Sequence, residues 1–370
     1  MLNNKIDLLK EKLTEIAADE KMTFMEVCGT HTVSIFRSGL RSILPLNISL
    51  LSGPGCPVCV TDQKDIDAII SLFENTTEKI TIAAYGDMMR VPGSITGKNN
   101  KGKSSLSALR GGGADVRVIT SAIQCIDIAE STNNQVIFFG VGFETTAPAT
   151  AVLIKEAAGR SIKNLSVYSV HKTIPNALRV LAAPGEIGGT VRLDGFLLPG
   201  NVSVLIGEKP YQFIAEEYKK ACVIAGFDAL SILSAIVELT RQTKFKAPEV
   251  KNFYKEAVNA DGNPHAMKIT REVFEPCDSE WRGIGKIVNS GLGIRAEFQD
   301  YDAEKRFSIK KTDAQVTGCE CGKVLLGIIT PPECKLFGSA CTPAFPVGAC
   351  MVSGEGTCGA WFRWNRNYLQ

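Results

Sequence analysis

The sequence predicts an α/β fold in which two domains built on parallel sheets are followed by a domain of mixed structure rich in cysteine. Three observations lead there. Short β-rich runs alternate with helix-period segments from residue 22 to about 245, the rhythm of βαβ units. Unusual motifs recur directly after those runs, where parallel sheets place their ligands. Beyond residue 246 the rhythm stops, and a Gly- and Pro-punctuated stretch carries six of the twelve cysteines.

Ile6, Leu9, Leu13 and Ile16 recur at helical spacing among charges, which predicts an amphipathic N-terminal helix. Seven runs then read as strands: MTFMEV, ISLLSG, KITIAAYG, DVRVITS, QVIFFGVG, LSVYSVH and DGFLLPG. Their β-branched and aromatic residues suit a pleated, buried surface. Between them TVSIFRSGLRSIL, TDQKDIDAIISLFEN, AIQCIDIAEST, TTAPATAVLIKEAAG and TIPNALRVLAA carry the helical period. ACVIAGFDALSILSAIVELT reads as one buried element of a soluble fold, because Asp228 and Glu238 interrupt it before about 20 uncharged residues accumulate. The domains are expected over 1–120, 121–245 and 246–370, the first two as similar Rossmann-like halves.

Composition excludes several classes. A chain of 370 residues, 45% hydrophobic, buries a large core, so its cysteines are not the framework of a small secreted scaffold. The N-terminal segment has charges throughout and does not read as an export signal, so the expected location is the cytoplasm. Net charge is +2 with acids and bases interspersed, which indicates neither a nucleic-acid nor a membrane partner.

The strand-end motifs are expected to line one cleft. Cys28-Gly29-Thr30-His31 follows the first strand, Gly53 to Cys59 the second and Gly86 to Arg90 the third. Gly142 to Thr146, His171-Lys172 and Pro199 to Ser203 continue the series. In CPVC, Cys56 and Cys59 stand at a helix start, where free amides favour the thiolate and the pair can cycle between dithiol and disulfide. The plainer alternative is two ligands of a structural zinc. Cys28 alone would be a packing residue, but His31 three positions on supplies the parts of an activated thiolate or a soft-metal ligand pair. His171 shares the strand-end position, whereas His265 reads as a surface or packing residue. Glu144 is either a catalytic carboxylate of the cleft or a helix-capping one. Cys125, Cys222 and Cys277 have no partners in sequence and read as packing residues.

The C-terminal cysteines are spaced C-x-C-x12-C-x6-C-x8-C-x7-C. Six are too many for one tetrahedral ion or one cubane, each of which takes four. If four hold iron and sulfide, two remain for a disulfide beside the cluster. Zinc is the alternative on spacing alone.

The strings CGTHT, SGPGCPVCVT, YGDMMRVPGS, GADVRV, GFETTAPATA, HKTIP, PGNVSVLIG, WRGIG and CTPAFPVGACMVSGEGTC, in this order, resemble the HypD family over almost the whole chain. That family serves the maturation of nickel–iron hydrogenases. The resemblance implies a scaffold on which iron gains cyanide and carbon monoxide ligands, acting with the chaperone HypC and receiving cyanide from HypE, itself loaded by HypF. The hydrogenase large subunit would be an indirect partner. Cys28 would be the thiolate closest to the iron, with His31 beside it, and Cys56 and Cys59 the cleft dithiol that binds iron or supplies reducing equivalents. The resemblance further implies a 4Fe-4S cluster in surroundings like those of ferredoxin:thioredoxin reductase. Cys319, Cys334, Cys341 and Cys358 are the expected ligands, leaving Cys321 and Cys350 as the adjacent redox pair. A self-contained thiol–disulfide oxidoreductase is the competing expectation, and a zinc-stabilised binding protein a third.

Overall fold

The computed structural model describes residues 2–94, 104–183, 191–313 and 317–364. The expected first and third domain spans include 95–103, 314–316 and 365–370, and the second includes 184–190, all outside the described residues.

The chain opens with α1 (Leu2–Ala17), which buries Leu13 and Ala17 on its apolar face. Two βα units follow: β1 (Met22–Glu26) with α2 (Gly29–Arg37), then β2 (Ile48–Ser52) with the single turn α3 (Pro57–Val60) and α4 (Gln63–Asn75). Next come β3 (Ile80–Tyr85), α5 (Leu106–Gly111), β4 (Val116–Ile119), α6 (Gln124–Glu130), β5 (Gln135–Gly140), α7 (Ala147–Gly159), β6 (Leu165–Ser169) and α8 (Ile174–Ala182). β7 (Gly195–Pro199), α9 (Gly200–Ile206), α10 (Gln212–Glu216), β8 (Ala221–Ala225), α11 (Ala229–Lys244) and β9 (Val250–Asn252) complete the alternation. All seven expected strands and the five helices between them are present.

Two parallel sheets result, ordered β2-β1-β7-β8-β9 and β4-β3-β5-β6. The first is assembled from both ends of the alternating region, because β7 returns to pair with β1 in the register Met25 opposite Phe196. The second is the insertion between β2 and β7, and residue 120 lies inside it, in the connection from β4 to α6.

The apolar run that reads as one element is two. Residues 221–225 are wholly buried between β7 and β9, and Asp228 then caps α11 by accepting a hydrogen bond from the Ser231 amide at 2.9 Å. An N-cap carboxylate in extended backbone starts a helix whatever the hydropathy on either side. β9 also lies past the expected loss of rhythm at 246, and its Asn252 pairs with Ile224.

The remainder is the mixed part. α12 (Pro264–Val273) leads into an antiparallel hairpin, β10 (Phe274–Trp281) and β11 (Gly285–Ile294). The hairpin touches both sheets' connections, with Trp281 bridged to Thr61 and Gly291 to Lys172. After α13 (Ala303–Arg306), the described tail is largely irregular, with α14 (Cys321–Leu325), a 3-10 turn at Pro331–Glu333, α15 (Ala349–Val352) and α16 (Thr357–Trp364). No described helix is long and apolar enough to cross a membrane.

Candidate functional site

The carboxyl ends of β1 and β2 are locked together. The Gly29 amide donates to Gly55 O at 3.1 Å, and the Gly53 amide to Glu26 O at 2.8 Å. Beneath them Glu26 is buried, accepting from Ser52 and from Arg41 at 3.2 Å, so the platform is held by a charge-assisted network. On this platform Cys28 occupies the N-cap position of α2 and Cys56 that of α3.

Cys56 and Cys59 are joined as a disulfide, with Cα atoms 5.2 Å apart, and both are buried. Cys28 is a free thiol. Burial pushes it up to about 11 despite the amides of His31 and Thr30, which favour the thiolate, and Glu355 adds to the rise. At neutral pH the free thiol is therefore protonated, and becomes a thiolate when a soft cation displaces the proton.

His31 is fully buried, its Nε2 at 2.9 Å from Gly226 O and 3.3 Å from Ala225 O at the end of β8. Two carbonyl acceptors place the proton on Nε2. Nδ1 then carries a lone pair, and it has no partner among the described residues. Burial lowers the imidazole to about 4, which keeps it neutral.

The roof comes from the tail. Thr30 donates to Glu355 Oε1 at 2.7 Å, and a side chain at Gly29 would collide with Glu355. α16 packs on α2, with Trp361 edge-on to Phe36 at 5.1 Å and Arg41 over both rings. α15, which carries the buried Cys350, packs on α3, which carries Cys59. The end of β3 joins through Asp87, whose carboxyl burial raises, with Glu355 adding to it, and through Arg90, which donates to Pro343 O and to Ala344 O.

Glu144 and His171 have other surroundings. Glu144 accepts the Ile174 amide at 2.8 Å, so it meets the first turn of the distant helix α8 and not that of α7, which directly follows it. Its Oε2 is buried without a partner among the described residues, and burial raises the carboxyl to about 7. It lines a cavity of about 610 Å³ with Thr173, Asn176, Ile206, Met267 and Arg271. Nearby Tyr211 is buried, and its hydroxyl meets Ser203 Oγ at 3.3 Å. His171 is enclosed instead: Nδ1 meets Ser169 Oγ at 3.0 Å, Nε2 meets Thr150 Oγ1 at 3.2 Å, and Phe274 tilts against the ring. Lys172 donates to Ser279 and Glu280 O of the hairpin.

Replacing Glu144 by Gln is expected to remove a pH dependence of stability. A carboxyl raised from its unfolded value to about 7 keeps the fold fully stable in the acid range, and stability falls as pH rises from about 4.5 to about 7. The loss is about 3 kcal/mol. Unfolding of parent and Glu144→Gln at several pH values, compared by difference, isolates it from His31 and His171, which act oppositely. A constant difference across that window contradicts it.

The six tail thiols are linked to one another pair by pair. Cys319 Sγ lies 2.9 Å from Cys321 Sγ, and contact with Cys321 and then burial push Cys319 well up. Cys350 touches Cys321, which lowers it, and Cys358, which raises it, and burial leaves it well up overall; contact with Cys321 also raises Cys358. Burial raises Cys341, the Val347 and Gly348 amides oppose it, and Cys319 and Cys334 add to the rise. Backbone amides face sulfur, Val347 N to Cys341 at 3.3 Å and Cys321 N to Cys319 at 3.4 Å. Among the described residues no group of three or more His, Cys, Asp or Glu is arranged to hold one metal ion. An all-thiol set distributed over an irregular segment, with amides aimed at sulfur, fits an iron–sulfur cluster. Cys125 and Cys222 lie in the cores of α6 and β8, and Cys277 is half-buried in β10.

The HypD family model, described as "Hydrogenase formation hypA family", matches residues 4–365. The chain belongs to this family. It is 44% identical over 348 residues to hydrogenase maturation factor HypD2 of Bradyrhizobium diazoefficiens, covering 93% of this chain and 89% of that one. To the HypD factor of Rhizobium leguminosarum bv. viciae it is 42% identical (93% and 88% covered), and to that of Cupriavidus necator 41% (95% and 92%). Membership in HypD places the chain in hydrogenase maturation. Glu355, Tyr211 and Arg282 were not singled out by sequence: Glu355 had a weak signal as the lone acid in SGEGT between two cysteines, Arg282 lay within WRGIG, and Tyr211 had none.

Proposed function

We propose that this chain is the scaffold on which iron receives cyanide and carbon monoxide before transfer toward the hydrogenase large subunit, working in the cytoplasm with HypC and taking cyanide from HypE. The observation that carries this reading is the convergence of CGTHT, CPVC and the cysteine-rich tail on one platform within a chain of the HypD family. Cys28 is the iron-binding thiolate. It is buried, and α2 presents the N-terminal amides of Thr30 and His31 to the sulfur.

Cys319, Cys334, Cys341 and Cys358 would hold a 4Fe-4S cluster, which when bound supplies electrons singly. Cys321 and Cys350 form the pair between it and CPVC. Opening the Cys56–Cys59 disulfide takes two electrons and two protons. A Cys321/Cys350 dithiol supplies both by exchange: one thiolate attacks a CPVC sulfur, a mixed disulfide forms, and the second thiol displaces it. CPVC ends as dithiol and Cys321–Cys350 as disulfide. The packing of α15 on α3 supports this route. A self-contained oxidoreductase is not favoured by the family assignment.

Infrared spectra of the anaerobically co-purified pair with HypC test the reading. Cyanide and carbonyl bands are expected, and a brown pair lacking them would point back to the oxidoreductase. Cys321→Ser is expected to keep the brown chromophore while CPVC reduction slows at least about tenfold, the loss of one partner in exchange. Alkylation of Cys56 and Cys59 over time measures it, and an unchanged rate removes Cys321 from the route.

A further inference from the structure

The tip of the β10–β11 hairpin enters between α3 and the tail cysteines. At that tip Arg282 makes three bonds to the far side: its amide donates to Val60 O at 2.9 Å, Nε to Thr61 O at 3.0 Å and Nη1 to Gln63 Oε1 at 2.9 Å. Val60 O and Thr61 O close the C-terminal end of α3, where a helix carries partial negative charge, and the Gln63 side chain belongs to the first turn of α4. The fourth group, Nη2, is buried and has no partner among the described residues. On the other side the chain closes on the cysteines. Gly283, at φ +78°, lies so near Gly322 that a side chain at either position would strike the other's Cα. Gly322 follows Cys321 directly. The guanidinium charge also acts on the Cys319 thiol.

A buried donor without an acceptor calls for an explanation, and a guanidinium cannot resolve it by losing its proton. The groups placed nearby are the Cys319 thiol, whose charge the guanidinium favours, and Cys321, which directly precedes Gly322. A cluster held by four thiolates is anionic and gains a further negative charge on reduction, so a fixed cation beside it favours the reduced form. Burial shields that effect from salt.

We propose, resting on the iron–sulfur reading above, that Arg282 is a positioning residue which raises the reduction potential of the C-terminal cluster, giving Nη2–H to a sulfur there while its other donors hold the end of the CPVC helix. One side chain thereby ties the position of the disulfide to the charge of the electron store. WRGIG acquires a role: Trp281 is anchored by its Nε1 on Ser290 at 2.8 Å and by stacking on Phe143, arginine follows at the tip, and glycine allows the close approach.

The test is a redox titration of the anaerobic, cluster-loaded protein followed by absorbance and electron paramagnetic resonance. Arg282→Gln is expected to lower the reduced-to-oxidised ratio at a fixed ambient potential at least about tenfold, which is about 59 mV for a one-electron couple. Arg282→Lys keeps the charge and is expected within about threefold of the parent, by the same relation. A brown Arg282→Gln protein with the parent ratio overturns the inference, as does Arg282→Lys shifted as far as Arg282→Gln. Should Arg282→Gln not accumulate as folded protein, Arg282→Lys decides alone, and a shift beyond threefold overturns it. A colourless parent would instead remove the iron–sulfur reading on which the inference stands.

Discussion

Cys28→Ala is expected to abolish iron retention by the complex with HypC, with the cyanide and carbonyl infrared bands falling to background. The brown colour of the tail should persist, since none of the tail cysteines is touched. The cost to the fold is about 1 kcal/mol, because one small buried sulfur is removed from a site that the Glu26–Ser52–Arg41 network and the Gly29–Gly55 bond hold independently. Infrared spectroscopy and thermal unfolding of the same preparation separate the two effects. Bands at parental intensity would place the iron elsewhere, with Cys56 and Cys59 the next donors to examine.

Gly55→Ala is expected to do more damage to the fold than the loss of the thiol. A methyl at this position meets the backbone of Val27 and Cys28, which cannot swing aside as a flexible side chain does. Overpacking of this kind costs about 3 kcal/mol. The strain falls on the bond between the Gly29 amide and Gly55 O, so Cys28 and Cys56 move apart and the infrared bands weaken together with stability. Gly159→Ala is the control. Its methyl would meet nothing within 4 Å at the end of α7, and stability should change by less than about 0.5 kcal/mol. Equal effects of the two substitutions in denaturant melts would show that the close approach at Gly55 is not what holds the loops.

Much of this was legible in the residues because local chemistry sets it. Strands β1 to β7 announce themselves by β-branched and aromatic runs, four of them ending in glycine, and CPVC stands at a helix start with Pro57 following the N-cap. β8 did not, since its five residues continue without a polar break toward an apolar helix, and only Asp228 marks the division. The pairing of β1 with β7 was hidden for a different reason. Nothing in a strand's own sequence names a neighbour far away in the chain. The same limit applies to the site: cysteine and histidine stand out by rarity, but the contact of Glu355 with Thr30 and of Arg282 with α3 arises only from tertiary packing. His171 was conspicuous by position, yet Ser169 and Thr150 occupy its nitrogens.

The return of β7 to β1 has a consequence during synthesis. Thr23 and Asp194, bonded at the edge of that pairing, are separated by 171 residues. At ~5–20 residues per second the ribosome needs roughly 10–30 s to deliver the second partner after the first. Throughout that interval β1 has an unsatisfied edge, and the nascent chain exposes Cys28, Cys56 and Cys59 before any lid has been made, while the inserted four-stranded sheet gains its last strand, β6, before β7 is made and can collapse first. Premature oxidation or mispairing at the emerging N-terminal segment is then a hazard of biogenesis, one that a reducing milieu or a holding chaperone would relieve.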